Sequence, residues 1–287
     1  MNIKDIIIRD PFILADQKSE TYNLYGTTNH YDGLGFYCYT SKDLVDWKGP
    51  FKVFNTPADF WGTRDFWAPE VHEYKGAYYM FATFKNPSKC RGVQILKADN
   101  PIGPFVVYSD VITPKDWECL DGTLVIESGE PYMIFCHEWL QIKDGTMCSI
   151  KLSDDLKHAI GEPTVLFKAS DALWSKNPDW SDEPINVTDG PFAYVKDNNK
   201  YLLWSSFGEK CYRISVAIPK KSFVEADYIQ TEKPFEIESG GHGMIFTNFK
   251  GEDLLVVHIN NELAGQEHAE FYKLKTENAL LEVVKYE

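Results

Sequence analysis

Four acidic residues and one histidine each sit at the start of a short apolar run in this sequence. They are Asp10 in Asp10-Pro11-Phe12-Ile13, Glu70 in Ala68-Pro69-Glu70-Val71, Asp121 in Asp121-Gly122-Thr123-Leu124, Asp189 in Asp189-Gly190-Pro191-Phe192 and His242 in Gly241-His242-Gly243-Met244. Taken singly, an Asp beside Pro or Gly reads as a turn former whose carboxylate bonds nearby amides. Turn residues have no reason to recur at one point of every repeat, so the set invites a chemical reading. Carboxyls crowded together push each other's pKa values apart, which leaves one protonated as an acid and another ionised as a base. Inverting hydrolysis of a glycosidic bond needs such a pair, separated by roughly 6.5–9.5 Å so that a water fits between base and anomeric carbon.

Elements that would position these residues recur five times. Each copy carries an apolar strand ending in small or polar residues: Tyr22 to Thr27, Tyr78 to Thr83, Tyr132 to His137, Tyr201 to Ser206 and Leu254 to His258. A second alternating strand follows each, and the acid- or histidine-bearing strand precedes each across a turn such as Lys75-Gly76. Three or four antiparallel strands per unit, repeated at intervals of about 50 to 70 residues, predict an all-β, five-bladed β-propeller occupying residues 1–287 as one domain. A blade's first strand lines the central channel, so all five polar residues are expected near the axis.

Composition bounds the partners. A net charge of -14 argues against phosphate backbones and anionic membrane surfaces, which would be repelled. No nucleic acid or membrane partner is expected, whereas 8 Trp, 16 Tyr and 18 Phe offer platforms for sugar rings. Phe12, Phe66, Trp67, Phe192 and Trp204 lie near the channel openers and are candidates for stacking, against a background of simple packing. The chain reads as soluble, with charge at its start where a secretory signal needs an apolar run. It is cytoplasmic as written, and periplasmic or secreted if a leader has been removed. Six scattered cysteines lack metal or redox spacing and read as buried thiols. No Gly-x-Ser-x-Gly elbow, phosphate loop or His-Glu-x-x-His pair appears. Composition leaves the oligomeric state undetermined.

The phrases Arg9-Asp10-Pro11-Phe12-Ile13, Phe66-Trp67-Ala68-Pro69-Glu70-Val71, Leu120-Asp121-Gly122-Thr123-Leu124, Val187-Thr188-Asp189-Gly190-Pro191-Phe192 and Gly240-Gly241-His242-Gly243 together resemble glycoside hydrolase family 43 in order and spacing. The resemblance implies a five-bladed propeller that inverts, acting on α-L-arabinofuranosides, β-D-xylosides or the corresponding polysaccharides. It implies Asp10 as general base, Asp121 as the carboxylate that orients the acid and tunes its pKa, and His242 beside a calcium ion or ordered water in the channel. The sequence departs at Asp189, where that family usually has Glu as general acid. An acid one methylene shorter reaches about 1.5 Å less far, and proton donation requires roughly hydrogen-bond distance. Three readings follow: Asp189 is the acid of an adjusted site, Glu138 at the end of the third apolar strand supplies the proton, or activity is impaired.

Glu70 is read as a channel polar group without an assigned step, and Arg213 as a neutraliser of the acid cluster or a hydroxyl ligand. The leading expectation is an exo-acting α-L-arabinofuranosidase, with β-D-xylosidase and endo-arabinanase as alternatives. A carbohydrate-binding propeller that has lost hydrolysis is the competing class, and a protein-interaction ring is disfavoured by its channel acids.

Overall fold

A computed structural model describes residues 1–28, 34–277 and 280–286. Five four-stranded antiparallel sheets, each a simple meander in chain order, form the five blades of a propeller. The inner strands are Arg9–Asp16, Arg64–Tyr74, Cys119–Glu127, Asp189–Lys196 and Gly241–Thr247. The second strands of the blades, such as Thr21–Thr27 and Ala77–Asn86, are buried along almost their whole length, because neighbouring blades cover both faces. The outermost strands, such as Val106–Val111, keep exposed residues. Large side chains fill the seams between blades: Trp204 packs on Phe167 and Trp174, and Phe36, Phe54, Phe66 and Phe84 form an aromatic cluster between the first two blades.

Each inner strand carries a β-bulge where two residues face one on the second strand. The first bulge residue has a positive φ in every blade: Asp10 (52°), Ala68 (44°), Asp121 (58°), Gly190 (51°) and His242 (43°). The second is Pro11, Pro69, Gly122, Pro191 or Gly243. Proline is tolerated because the bulge interrupts the ladder, and a Cβ on Gly243 would meet the Val256 carbonyl at 2.2 Å. The left-handed conformation turns the first residue out of the pleat and into the channel, at a cost that a rigid frame must meet.

The bulge amides are caught by the preceding blade. Ala68 N–H donates to Thr27 Oγ1 (2.8 Å), Asp121 N–H to Thr83 Oγ1 (3.0 Å), His242 N–H to Ser205 Oγ (2.8 Å) and Asp10 N–H to His258 Nδ1 (3.2 Å). In the third blade the equivalent position is Cys136, and the Asp121 carboxylate takes its place, accepting from Gly190 N–H at 3.0 Å. This ring of hydrogen bonds explains why the second strands end in small polar residues. It also closes the propeller between its last and first blades, where Arg9 pairs with Glu267 at 3.1 Å and Ile8 N–H donates to the Glu267 carbonyl at 3.0 Å.

The bulges correct the expected register of the five openers. The equivalent positions are Asp10, Ala68, Asp121, Gly190 and His242, so Asp189 precedes its bulge residue and corresponds to Arg9, Trp67, Leu120 and Gly241. Glu70 follows its bulge and lies deeper in the channel.

Candidate active site

A pocket of about 400 Å³ opens where the bulges meet, and Asp10, Asp121, Asp189 and His242 line it. His242 sits between the acids, with Nδ1 3.2 Å from Asp10 Oδ1 and 3.7 Å from Asp121 Oδ2. Its ring lies against Gly190, where a Cβ would come within 2.7 Å of it. Asp10 is further held by Thr27, whose hydroxyl donates to Oδ2 at 2.6 Å. Asp189 Oδ2 accepts from the Tyr212 phenol at 3.0 Å.

The electrostatics of the cluster are lopsided. Burial pushes the Asp10 carboxyl up, but His242 and Arg9, with the Thr27 hydroxyl, outweigh it and hold Asp10 below the usual carboxylate range. Burial also works against a charge on His242, yet Asp10, Asp121, Asp189 and Glu70 raise its pKa above the ordinary value. Asp121 is pushed up to about 8 by burial and by the charges of Asp189 and Asp10, against the pull of His242. Asp189 is raised by burial and by Asp10, against His242 and the Tyr212 hydrogen bond. Proton affinity is therefore lower at Asp10 than at Asp121 and Asp189, the asymmetry that acid–base catalysis requires.

His258 is a neutral partner in this arrangement. Burial lowers its pKa to about 4, and its Nδ1 accepts the Asp10 amide while Nε2 faces Asn261 Oδ1 at 3.0 Å. The tautomer is thereby fixed with the proton on Nε2. Asn261 Oδ1 also accepts from Arg9 at 2.6 Å, which anchors the guanidinium beside the base.

Glu138 lies in the same pocket and is buried, but its carboxylate is engaged by the Arg91 guanidinium. Arg91 also bonds Asp65 at 2.9 Å and covers the face of Trp67 at 4.5 Å. Burial raises the Glu138 pKa while Arg91 opposes the rise. Trp67 lines the pocket.

Other expectations are corrected. Phe12 and Phe192 do not line the pocket: they pack edge to face with each other at 6.3 Å, and Phe12 packs against His72, so both belong to blade packing. Phe66 and Trp204 are core residues. Glu70 is absent from the pocket wall and pairs with His72 Nε2 at 3.0 Å, reaching His242 through its charge alone. Arg213 is turned away to donate to the Ile237 carbonyl at 2.7 Å. Sequence reasoning missed Arg9, Tyr212, Trp139, Trp180 and Phe207, all of which line the pocket.

Among the described residues, no group of three or more His, Cys, Asp or Glu side chains is arranged to hold a metal ion. With Nδ1 of His242 turned onto Asp10, these residues do not fit a chelated calcium. No step of the reaction is routed through the calcium implied by the resemblance. No helix among the described residues is long and apolar enough to cross a membrane.

A five-bladed propeller whose inner strands bring Asp10, Asp121 and Asp189 into one pocket is an architecture suited to acid–base hydrolysis of glycosidic bonds. The chain belongs to the glycosyl hydrolases family 43, whose model matches residues 3–286. It is similar to an endo-arabinase from Bacteroides thetaiotaomicron, at 38% identity and a TM-score of 0.91 over 98% of each chain. An extracellular exo-α-(1→5)-L-arabinofuranosidase from Cellvibrio japonicus matches at 24% identity over 89% of this chain and 79% of that protein. An α-L-arabinofuranosidase from Lactobacillus brevis shares the fold, with a TM-score of 0.78 at 16% identity over 100% of this chain and 99% of that one. Oligosaccharides or polysaccharides are thus its substrate class.

Proposed function

We propose that this glycosidase cleaves α-L-arabinofuranosyl linkages with inversion, using Asp10 as base and Asp189 as acid. The observation that carries the assignment is the split in proton affinity across the pocket, with Asp10 held below and Asp189 above the ordinary carboxylate range. Asp10 takes a proton from the water that attacks the anomeric carbon, Asp189 gives its proton to the departing glycosidic oxygen, and the bond between that carbon and oxygen breaks. Exchange with solvent then returns a proton to Asp189 and removes one from Asp10.

Asp189, and not Glu138, is assigned the acid role because the Glu138 carboxylate is tied to the Arg91 guanidinium, whereas Asp189 is held by the Tyr212 phenol. The shorter side chain is accommodated by the Tyr212 phenol, which supports Asp189 from the side of its own blade. Asp121 acts on the acid through the Gly190 amide, adjacent to Asp189 in the chain. Arabinose is preferred over xylose as the sugar because the curated relative and the 38%-identical structure are both named for arabinose-releasing or arabinan-cleaving activity.

Release of 4-nitrophenol from the α-L-arabinofuranoside and β-D-xyloside conjugates tests the reading. The arabinofuranoside is expected to turn over at least tenfold faster. Faster turnover of the xyloside would transfer the assignment to a β-D-xylosidase, and turnover of neither would remove the exo-acting reading.

A further inference from the structure

Two hydrogen bonds fix the backbone of Glu138 at the wall of the catalytic pocket: its N–H donates to the Glu118 carbonyl at 2.8 Å, and its own carbonyl accepts from Gln141 N–H at 3.1 Å. Its side chain is fixed as well. Oε2 takes one terminal nitrogen of Arg91, the other donates to Asp65 Oδ2 at 2.9 Å, and the guanidinium lies over the Trp67 ring at 4.5 Å. Glu118 completes the frame, accepting the Arg91 backbone N–H at 2.8 Å through Oε2 and pairing with Lys85 through Oε1. Three carboxyl groups thus meet two cations around one buried guanidinium.

Such a cluster is a poor way to stabilise a fold. Taking ions out of water costs about as much as their attraction returns, and here Arg91 Nε is buried without a hydrogen-bond partner. What the arrangement delivers is a carboxyl group held in one place beside the reacting acids, with which it shares the pocket. Oε2 is occupied by Arg91, whereas Oε1 has no hydrogen-bond partner among the described residues. We propose that Glu138 is a specificity-determining residue, pairing through Oε1 with one hydroxyl of the sugar held over Asp10, and that Arg91 is the positioning residue that aims it. The inference rests on this pocket being the seat of glycosidic cleavage, and not on which sugar is cleaved. A hydroxyl both donates and accepts, so it pairs with Oε1 in either protonation state of the carboxyl. One buried partner of this kind discriminates strongly, because a sugar that lacks the hydroxyl leaves the carboxyl oxygen unpaired. Trp67 rests on the same guanidinium, so Arg91 sets a polar and an apolar contact of the pocket together.

The test removes the hydroxyl and the carboxyl separately and together. kcat/KM is measured for 4-nitrophenyl α-L-arabinofuranoside and its 2-deoxy, 3-deoxy and 5-deoxy analogues, with the parent protein, Glu138→Ala, Glu138→Gln and Arg91→Met. In Glu138→Ala the penalty for deleting one of the three hydroxyls is expected to fall about tenfold or more, while the other two stay within about twofold of their values in the parent. Glu138→Gln keeps part of that one penalty, since the amide still offers the hydroxyl a partner, and Arg91→Met lowers the same penalty and no other. Each penalty is a ratio within one protein, so a partial loss of folded material cancels; should Glu138→Ala not fold, the other two variants decide by the same criterion. Penalties that are equal in all four proteins, or that fall together, would overturn the proposal. So would a Glu138→Ala that cleaves the nitrophenyl sugar but not arabinobiose, because Glu138 would then be the acid. If the parent turns over only the β-D-xyloside, the arabinose reading fails and the same cycle on 2-deoxy, 3-deoxy and 4-deoxy xylosides decides. If it turns over neither conjugate, the cycle is read from their dissociation constants by calorimetry.

Discussion

Replacing Tyr212 with Phe removes one hydrogen bond and almost nothing else. The phenol donates to Asp189 Oδ2 at 3.0 Å, and its ring, 5.7 Å from that of His258 and nearly parallel to it, is retained in Phe. A hydrogen bond to an ionised carboxylate contributes about 1.5–3 kcal/mol and one to a neutral carboxyl about 1 kcal/mol, so Tyr212 favours the ionised acid by roughly 1 kcal/mol. Its loss shifts the ratio of protonated to ionised Asp189 by about fivefold toward the protonated form. A general acid works only when protonated, and activity falls as pH rises through its pKa. Raising that pKa moves the alkaline limb of the kcat/KM profile to higher pH. A weaker acid also donates less readily, so the rate on the plateau falls severalfold on sugar leaving groups and hardly at all on 4-nitrophenol, which needs little protonation. Profiles of Tyr212→Phe and the parent on both substrate types measure this. An alkaline limb that stays in place or moves to lower pH would refute the role given to Tyr212.

Three further outcomes follow from the same geometry. In Asp189→Glu the added methylene drives the carboxyl toward Tyr212 and His242, and kcat/KM on arabinobiose is expected to drop at least tenfold; a gain would mean that the native acid is impaired. His242→Asn removes the cation that holds Asp10 low. The base needs its ionised form, so the acidic limb of the pH profile is expected to move to higher pH, as titration of kcat/KM will record. His258→Ala leaves the buried Asp10 amide without an acceptor and is expected to cost about 1–3 kcal/mol in chemical unfolding. His258→Thr copies the hydroxyl that Thr27 and Thr83 supply in other blades and is expected to recover part of that loss.

The five copies and the channel acids were legible because blade packing imposes both a repeat length and an apolar second strand. What the sequence pattern concealed was parity. Each bulge inserts a residue between the channel opener and the rest of its strand, so counting alternate residues forward from Asp10 puts Phe12 on the wrong side. The Pro or Gly after each bulge residue carried the correct frame: Asp10-Pro11, Ala68-Pro69, Asp121-Gly122, Gly190-Pro191 and His242-Gly243. Read that way, Asp189 is displaced from the channel positions and belongs at the pocket wall. The same parity separates Tyr212 from Arg213: Tyr212, Ile214 and Val216 are buried on one face of their strand, and Arg213 points to the other. Trp139 opens a single helical turn, Trp139–Ile142, and Trp180 comes from an irregular segment, and no periodicity encodes the placement of either.

The central claim is that Asp10 and Asp189 divide the work of one inverting hydrolysis. Its most direct test is the dependence of Asp10→Ala and Asp189→Ala on the leaving group, measured with arabinobiose and with 4-nitrophenyl α-L-arabinofuranoside. Loss of the base is expected to abolish turnover of both. Loss of the acid is expected to abolish turnover of the biose, by about a hundredfold or more, while sparing much of the activity on the nitrophenyl conjugate. Native-like cleavage of arabinobiose by Asp189→Ala would contradict the account and place the proton elsewhere in the pocket.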